Sequence, residues 1–165
     1  MGERWTIRKM SVPEDLERVL GFQRETYELN FPGFVWSERF REEFEHALRR
    51  AHFSPNEGLF VAEDASGVVV GFVWVGVLAR EFQRDRYVGL VRDIYVAPNH
   101  RGKGLGKVLL RHAERFAAER GATRMTLEVT ASNTAAVQLY KKQGYHVQRL
   151  QMEKPLSPPA RGDRR

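Results

Sequence analysis

A chain of 165 residues with 42% hydrophobic content is one domain's worth, able to bury a single core and about two-thirds of its unfolded surface. It has no cysteine, which excludes disulfides, zinc–thiolate sites and cysteine nucleophiles and fits a reducing compartment. Its formal charge of +6 does not make a nucleic-acid binder: residues 156–165 supply +2 of it (Arg161, Arg164 and Arg165 against Asp163), and elsewhere bases are interleaved with acids, as in Arg39-Phe40-Arg41-Glu42-Glu43.

The first residues hold no apolar signal region, and the longest near-apolar run, 67–79, is too short and too rich in Gly and Val to span a bilayer, so a cytoplasmic protein is expected. Residues 5–10 read as a first strand. Ser11, Pro13 and Glu14 supply a capping box with proline in the first turn, and Leu16, Val19, Leu20, Gln23 and Tyr27 share one face of the helix that follows. The segment 30–36 is turn-forming and strongly aromatic. Ser37 can cap a second helix with Phe40, Phe44, Ala47, Leu48 and Ala51 at core spacing.

Residues 58–64 and 68–78 read as a hairpin about Ala65-Ser66-Gly67, its second strand apolar enough to be buried on both faces. A charged loop, 80–86, leads to a strand over 90–96. From Leu105 apolar residues recur at helical spacing through Val108, Leu109, Ala113, Phe116 and Ala117, until Gly121. A strand over 124–130, a short helix capped by Ser132 or Asn133 and ended by Gly144, and a last strand over 145–153 complete the order β-α-α-β-β-β-α-β-α-β. That order predicts an α/β sandwich, a mixed sheet of six to seven strands flanked by helices. It occupies 1–155 as a single domain, followed by a flexible Pro/Arg-rich tail over 156–165.

Residues 93–110 stand out as strand, glycine-rich turn and helix, with Gly102, Gly104 and Gly106 at the helix start. A helix start exposes unpaired N–H groups and the positive end of the macrodipole, and glycine lets an anion approach, so this turn suits a pyrophosphate. Arg101, Lys103 and Lys107 add positive charge. A Walker loop fails here because Arg101 stands where its first glycine belongs and Val108 where its Ser or Thr belongs. A dinucleotide fingerprint fails because its last glycine would fall on Lys107 or Leu109.

Arg101-Gly102-Lys103-Gly104-Leu105-Gly106 matches the acyl-CoA signature Arg/Gln-x-x-Gly-x-Gly/Ala, and a second block runs from Thr126 through Asn133 and Tyr140 to Gly144-Tyr145. With both blocks in order, the chain resembles the GCN5-related N-acetyltransferases (GNAT). The resemblance implies that the sheet splays between its fourth and fifth strands to admit acetyl-CoA. Ile94, Tyr95 and Val96 would hold the pantetheine arm by their backbone, and Arg101, Gly102, Lys103, Gly104, Leu105, Gly106 and Lys107 the pyrophosphate. It implies further that Asn133 contacts that arm and that the Tyr140 hydroxyl faces the thioester sulfur as acid. Asn133 equally suits a helix cap, and Tyr140 a core aromatic beside Leu139.

For the base, many members carry a glutamate where this chain has Arg92. Asp93 is adjacent, but strand alternation turns it to the opposite face. Glu128 matches the carboxylate that serves as base in bacterial enzymes acetylating protein N-termini, a resemblance also carried by Ala131-Ser132-Asn133; a salt-bridged strand glutamate is the alternative. His46, His52, His100, His112 and His146 have no metal-ligand spacing, and no metal is expected. The resemblance implies transfer of acetyl from acetyl-CoA to a primary amine, a small molecule or a protein N-terminus, directly in a ternary complex. The alternative is a non-catalytic acyl-CoA-binding or regulatory module. A homodimer is compatible with this reading, and no membrane or nucleic-acid partner is expected.

Overall fold

Five strands form one sheet in the order β1-β2-β3-β4-β5 in the computed structural model, which describes residues 5–79 and 86–154. β1 (Thr6–Lys9), β2 (Glu57–Glu63), β3 (Val69–Ala79) and β4 (Tyr87–Val96) pair antiparallel, and β5 (Met125–Leu127) joins β4 in parallel. α1 (Val12–Asn30) and α2 (Glu38–Phe53) cover one face. α3 (Leu105–Ala118) and α4 (Thr134–Lys142) pack on the other. A 3-10 turn, Pro98–His100, links β4 to the glycine-rich segment.

Periodicity accounts for the two cores. On α3, Leu105, Leu109, Leu110, Ala113, Phe116 and Ala117 lie on one buried face against Val73, Val75 and Val91 of the sheet. Each fully buried leucine contributes roughly 2 kcal/mol. On α1, Leu16, Val19, Leu20 and Gln23 are buried as their spacing requires, and Tyr27 is half-buried. Ser37 caps α2, its hydroxyl accepting from the Phe40 N–H at 3.2 Å.

The capping box expected from Ser11 and Glu14 does not form. Asp15, only 4% exposed, takes the Ser11 N–H at 2.8 Å, while Arg8 clamps it at 2.7 Å and reaches Glu63 at 2.7 Å. Burial works against the Asp15 charge, but hydrogen bonds from Arg8 and the Ser11 N–H hold its carboxyl below the ordinary carboxylate value. This network ties β1, β2 and the start of α1 together, and so fixes the helix that lies against β4.

Two irregularities of β4 shape its far end. Trp74 pairs with Asp93 and Val75 with Val91, which leaves Arg92 as the extra residue of a β-bulge. Arg92 consequently reaches Glu57 and Trp74, and Asp93 reaches Gln23, so both point to the α1/α2 face and the alternation expected for Asp93 does not hold. In addition, β5 pairs with β4 only from Gly89↔Met125 to Val91↔Leu127. Past Val91 that edge of β4 meets no strand among the described residues, which is the splay the resemblance implied.

The count of five strands among the described residues corrects the expected six to seven. β5 is shorter than 124–130 because the bulge turns β4 away just where Glu128 and Val129, both exposed, would have to pair. Residues 145–153 form no strand: Val147, Leu150 and Met152 are 65%, 83% and 91% exposed with no ladder partner. Residues 80–85 of the charged loop and the tail over 156–165 lie outside the described residues.

β5 sits this close to β4 because residue 89 is glycine. A Cβ there would stand 2.8 Å from that of Ala117 and closer still to the Met125 sulfur. Gly89→Ala is expected to lower stability by about 1–3 kcal/mol in chemical denaturation; an unchanged midpoint would mean that β5 and α3 do not close on this point.

Candidate functional site

The start of α3 is an unfilled set of backbone donors. Among the described residues, no backbone or side-chain acceptor takes a hydrogen bond from the N–H groups of Gly102, Lys103, Gly104, Leu105, Gly106 or Lys107. Gly104 is the N-cap at φ 95° and supplies no side-chain cap, and Gly102 lies at φ 71°. Open space surrounds both glycines. The left-handed backbone turns successive N–H groups toward solvent, and a Cβ there would be strained. Lys103 and Lys107 are exposed without an anionic partner among the described residues. Donors, dipole and charge together fit a pyrophosphate.

Arg101, expected among the groups that hold the pyrophosphate, is engaged within the chain. Its Nε donates to the Val96 carbonyl at 2.8 Å, its Nη2 lies 3.2 Å from Glu25, and its guanidinium stands over the Tyr95 ring at 5.7 Å. The Tyr95 hydroxyl donates to the same Glu25 carboxylate, and its ring stacks on Phe22 at 4.2 Å. Burial first, and then Glu25, push the Tyr95 hydroxyl up to about 12. Glu25 thus joins α1 to the end of β4 and to the glycine turn.

The unpaired edge of β4 meets the seat. The Ala97 N–H bonds the Val70 carbonyl at 2.9 Å, so by alternation the Val96 N–H points away from β3 toward the splay, while the Ile94 N–H on the same edge is taken by the Asp93 carboxylate. That is the geometry an extended amide-bearing arm needs. Gly106 belongs to this junction by close approach: a Cβ on it would lie 3.0 Å from Leu139, so its absence lets α4 pack against the start of α3. Leu105 is buried and lines the core beneath.

α4 carries Tyr140 into the core on the α3 side of the sheet. The residue is 7% exposed and its ring lies 5.9 Å from that of Tyr145. Burial, and next the Asp93 carboxylate, push its hydroxyl up to about 12, so it holds its proton at neutral pH. Asn133 caps α4 by accepting the Ala136 N–H at 3.2 Å, and its amide reaches Asn30 at the end of α1 at 3.4 Å. Glu128 stands exposed immediately after β5.

Two carboxylates flank the bulge. Glu57 is fully engaged: Arg92 grips it at 2.8 Å and 3.0 Å, and the Trp74 indole donates to it at 2.7 Å. Asp93 is different. It accepts from the Gln23 amide and the Ile94 N–H, it has no cation within ion-pair distance among the described residues, and burial pushes it up to about 6. Asp93 also raises the Tyr27 hydroxyl, after burial. Tyr27 opens an aromatic group in contact with Phe31, Phe34 and Phe40, which continues through Phe44 to Trp74. Sequence reasoning missed Asp93 and Gln23 as site residues, because only the bulge brings Asp93 to the α1 face.

The sequence matches the profile of the Acetyltransferase (GNAT) family over residues 20–145. It is 45% identical over 86 residues to streptothricin acetyltransferase of Streptomyces lavendulae, a match covering 52% of this chain and 43% of that protein. It is 28% identical over 151 residues to spermidine N(1)-acetyltransferase of Thermoplasma acidophilum, covering 86% of this chain and 88% of that one. The fold superposes on a GCN5-related N-acetyltransferase from Ralstonia eutropha with TM-score 0.76 at 22% identity, over 92% of this chain and 98% of that one. No helix among the described residues is long and apolar enough to cross a membrane.

A side chain at the N-cap tests the seat. Gly104→Val is expected to weaken acetyl-CoA binding at least tenfold in calorimetry while the protein stays folded, because a branched Cβ blocks the donors and is strained at positive φ; unchanged affinity in a folded variant would put the pyrophosphate elsewhere.

Proposed function

Because the chain belongs to the acetyltransferase (GNAT) family, we propose that it moves the acetyl group of acetyl-CoA to a primary amine by direct transfer in a ternary complex. The observation that carries this reading is the set of unfilled donors over 102–107 beside the free edge of β4, with Tyr140, 7% exposed, on the adjoining α4. Bound acetyl-CoA supplies the thioester. The chain's own groups seat its phosphates at α3, align its arm along Ile94, Tyr95 and Val96, and offer the Tyr140 proton to the departing sulfur. Asn133 borders the path from its cap position between α4 and α1.

The reaction also needs the acceptor nitrogen with its lone pair free, and hence a group that takes a proton from it. Two carboxylates are candidates: Glu128, exposed past the end of β5, and Asp93, half-buried on the α1 side. The acceptor reading follows from the surroundings of Asp93. An aromatic group beside a carboxylate without a cation suits a small ammonium-bearing molecule. The relatives named for streptothricin and spermidine support that class.

The test is release of free thiol with a panel holding spermidine, an aminoglycoside and an alanine-initiated peptide, run on the wild type and on Tyr140→Phe. Turnover with at least one small amine is expected, with kcat in Tyr140→Phe about 10²-fold lower and acetyl-CoA affinity nearly kept. Tight acetyl-CoA binding without thiol release from any amine would instead support a non-catalytic acyl-CoA-binding module. Wild-type kcat in Tyr140→Phe, where chemistry limits the rate, would reduce Tyr140 to a wall of the gap.

A further inference from the structure

The geometry points to Asp93 as the group that takes the proton from the acceptor amine, with Gln23 as the residue that positions it. This assignment rests on the acetyl-transfer reading and deepens it.

The bulge is the origin. In a regular strand Arg92 and Asp93 would point to opposite faces; with Arg92 as the extra residue, both face α1 and α2. Arg92 is then retired from the chemistry by its two-pronged contact with Glu57, which also holds the Trp74 indole. Asp93 is left at the point where β4 loses its β5 partner, one residue before the backbone that lines the splay. The titratable groups that face it are Tyr27 from α1 and Tyr140 from α4. Neither is a cation. A desolvated carboxylate without a counter-charge attracts an ammonium and holds a proton more tightly than an exposed one.

Gln23 supplies the second, independent observation. It is 0% exposed, its Nε2 donates to Asp93, and its Oε1 is buried with no partner. A fully buried amide is rarely left half-satisfied. Next to Asp93 the unpaired Oε1 is sealed from bulk solvent, so the acceptor it offers beside the carboxylate is filled only by a group that enters this interior, a bridging water or an amine N–H. Gln23 therefore orients the carboxylate through its amide N–H and leaves one buried acceptor beside it.

The protons balance. Asp93 takes one from the ammonium, freeing the nitrogen lone pair to form the C–N bond. As the C–S bond breaks, its electron pair leaves with sulfur, which takes the Tyr140 proton. The second proton shed by the nitrogen restores Tyr140, and the first leaves Asp93 for solvent. The products are the amide, the free thiol and one released proton, with no other reactant required.

Two measurements test the assignment. In the free protein, isotope-edited NMR of the Asp93 carboxyl is expected to show titration near pH 6, moving to higher pH in Gln23→Leu, which removes a donor to the charged form. In turnover with the best amine, kcat is expected to rise with pH through the same range as Asp93 loses its proton. Asp93→Asn should abolish that limb and lower kcat about 10²-fold, and Gln23→Leu should shift the limb upward. Asp93 titrating in the ordinary carboxylate range, unmoved by Gln23→Leu, would overturn the proposal whether or not the protein turns over. So would an active enzyme whose acid limb persists in Asp93→Asn and vanishes in Glu128→Gln, an outcome that leaves acetyl transfer standing and moves the base to Glu128.

Discussion

Backbone donors inside a protein must find acceptors, and much of this structure follows from where β4 stops providing them. Up to Val91 its outer edge is paired with β5; beyond it the bulge at Arg92 turns the strand and the pairing ends. The cost of an unpaired edge is offset only if something else comes to it. Here the free edge opens next to a second unfilled set of donors at the start of α3. Two deficits in hydrogen bonding thus lie end to end, which is what the proposed coenzyme seat rests on.

The same bulge links the cofactor side of the sheet to its other face. Ile94 and Val96 pack toward α3, whereas Asp93 and Tyr95 face α1. Tyr140 belongs to the α3 core, and burial first and the Asp93 carboxylate second raise its hydroxyl. The proposed acid and the proposed base therefore come from opposite faces of the sheet. The position of α1 is then as consequential as that of α3, and the Arg8–Asp15–Glu63 network fixes it from the far end. In its second half, Glu25 holds Tyr95 and Arg101, which ties α1 to the glycine turn.

What was legible in the sequence was what is set locally. The glycine spacing over 102–106, the helical recurrence from Leu105 to Ala117 and the Asn133 cap each depend on near neighbours, and each stands where the pattern put it. The Ser11 capping box failed because Arg8 and Glu63, which hold Asp15 in its place, come from β1 and β2. A strand over 145–153 was read from β-forming residues, but propensity supplies no partner edge, and Val147, Leu150 and Met152 face solvent. The role of Asp93 was illegible for a related reason: one extra residue in β4 reverses its face, and the register that inserts it is decided by pairing with β3.

In the proposed function the unfilled donors over 102–107 and the free edge at Val96 form one continuous seat for the coenzyme. Backbone amide NMR of the labelled protein, titrated with coenzyme A, tests it most directly. The amides of Gly102 through Lys107 are expected to move first and furthest, as hydrogen bonds to phosphate form, and Val96 to move with them as the arm settles along β4. Saturable shifts confined to other surfaces, with these amides unmoved, would contradict it.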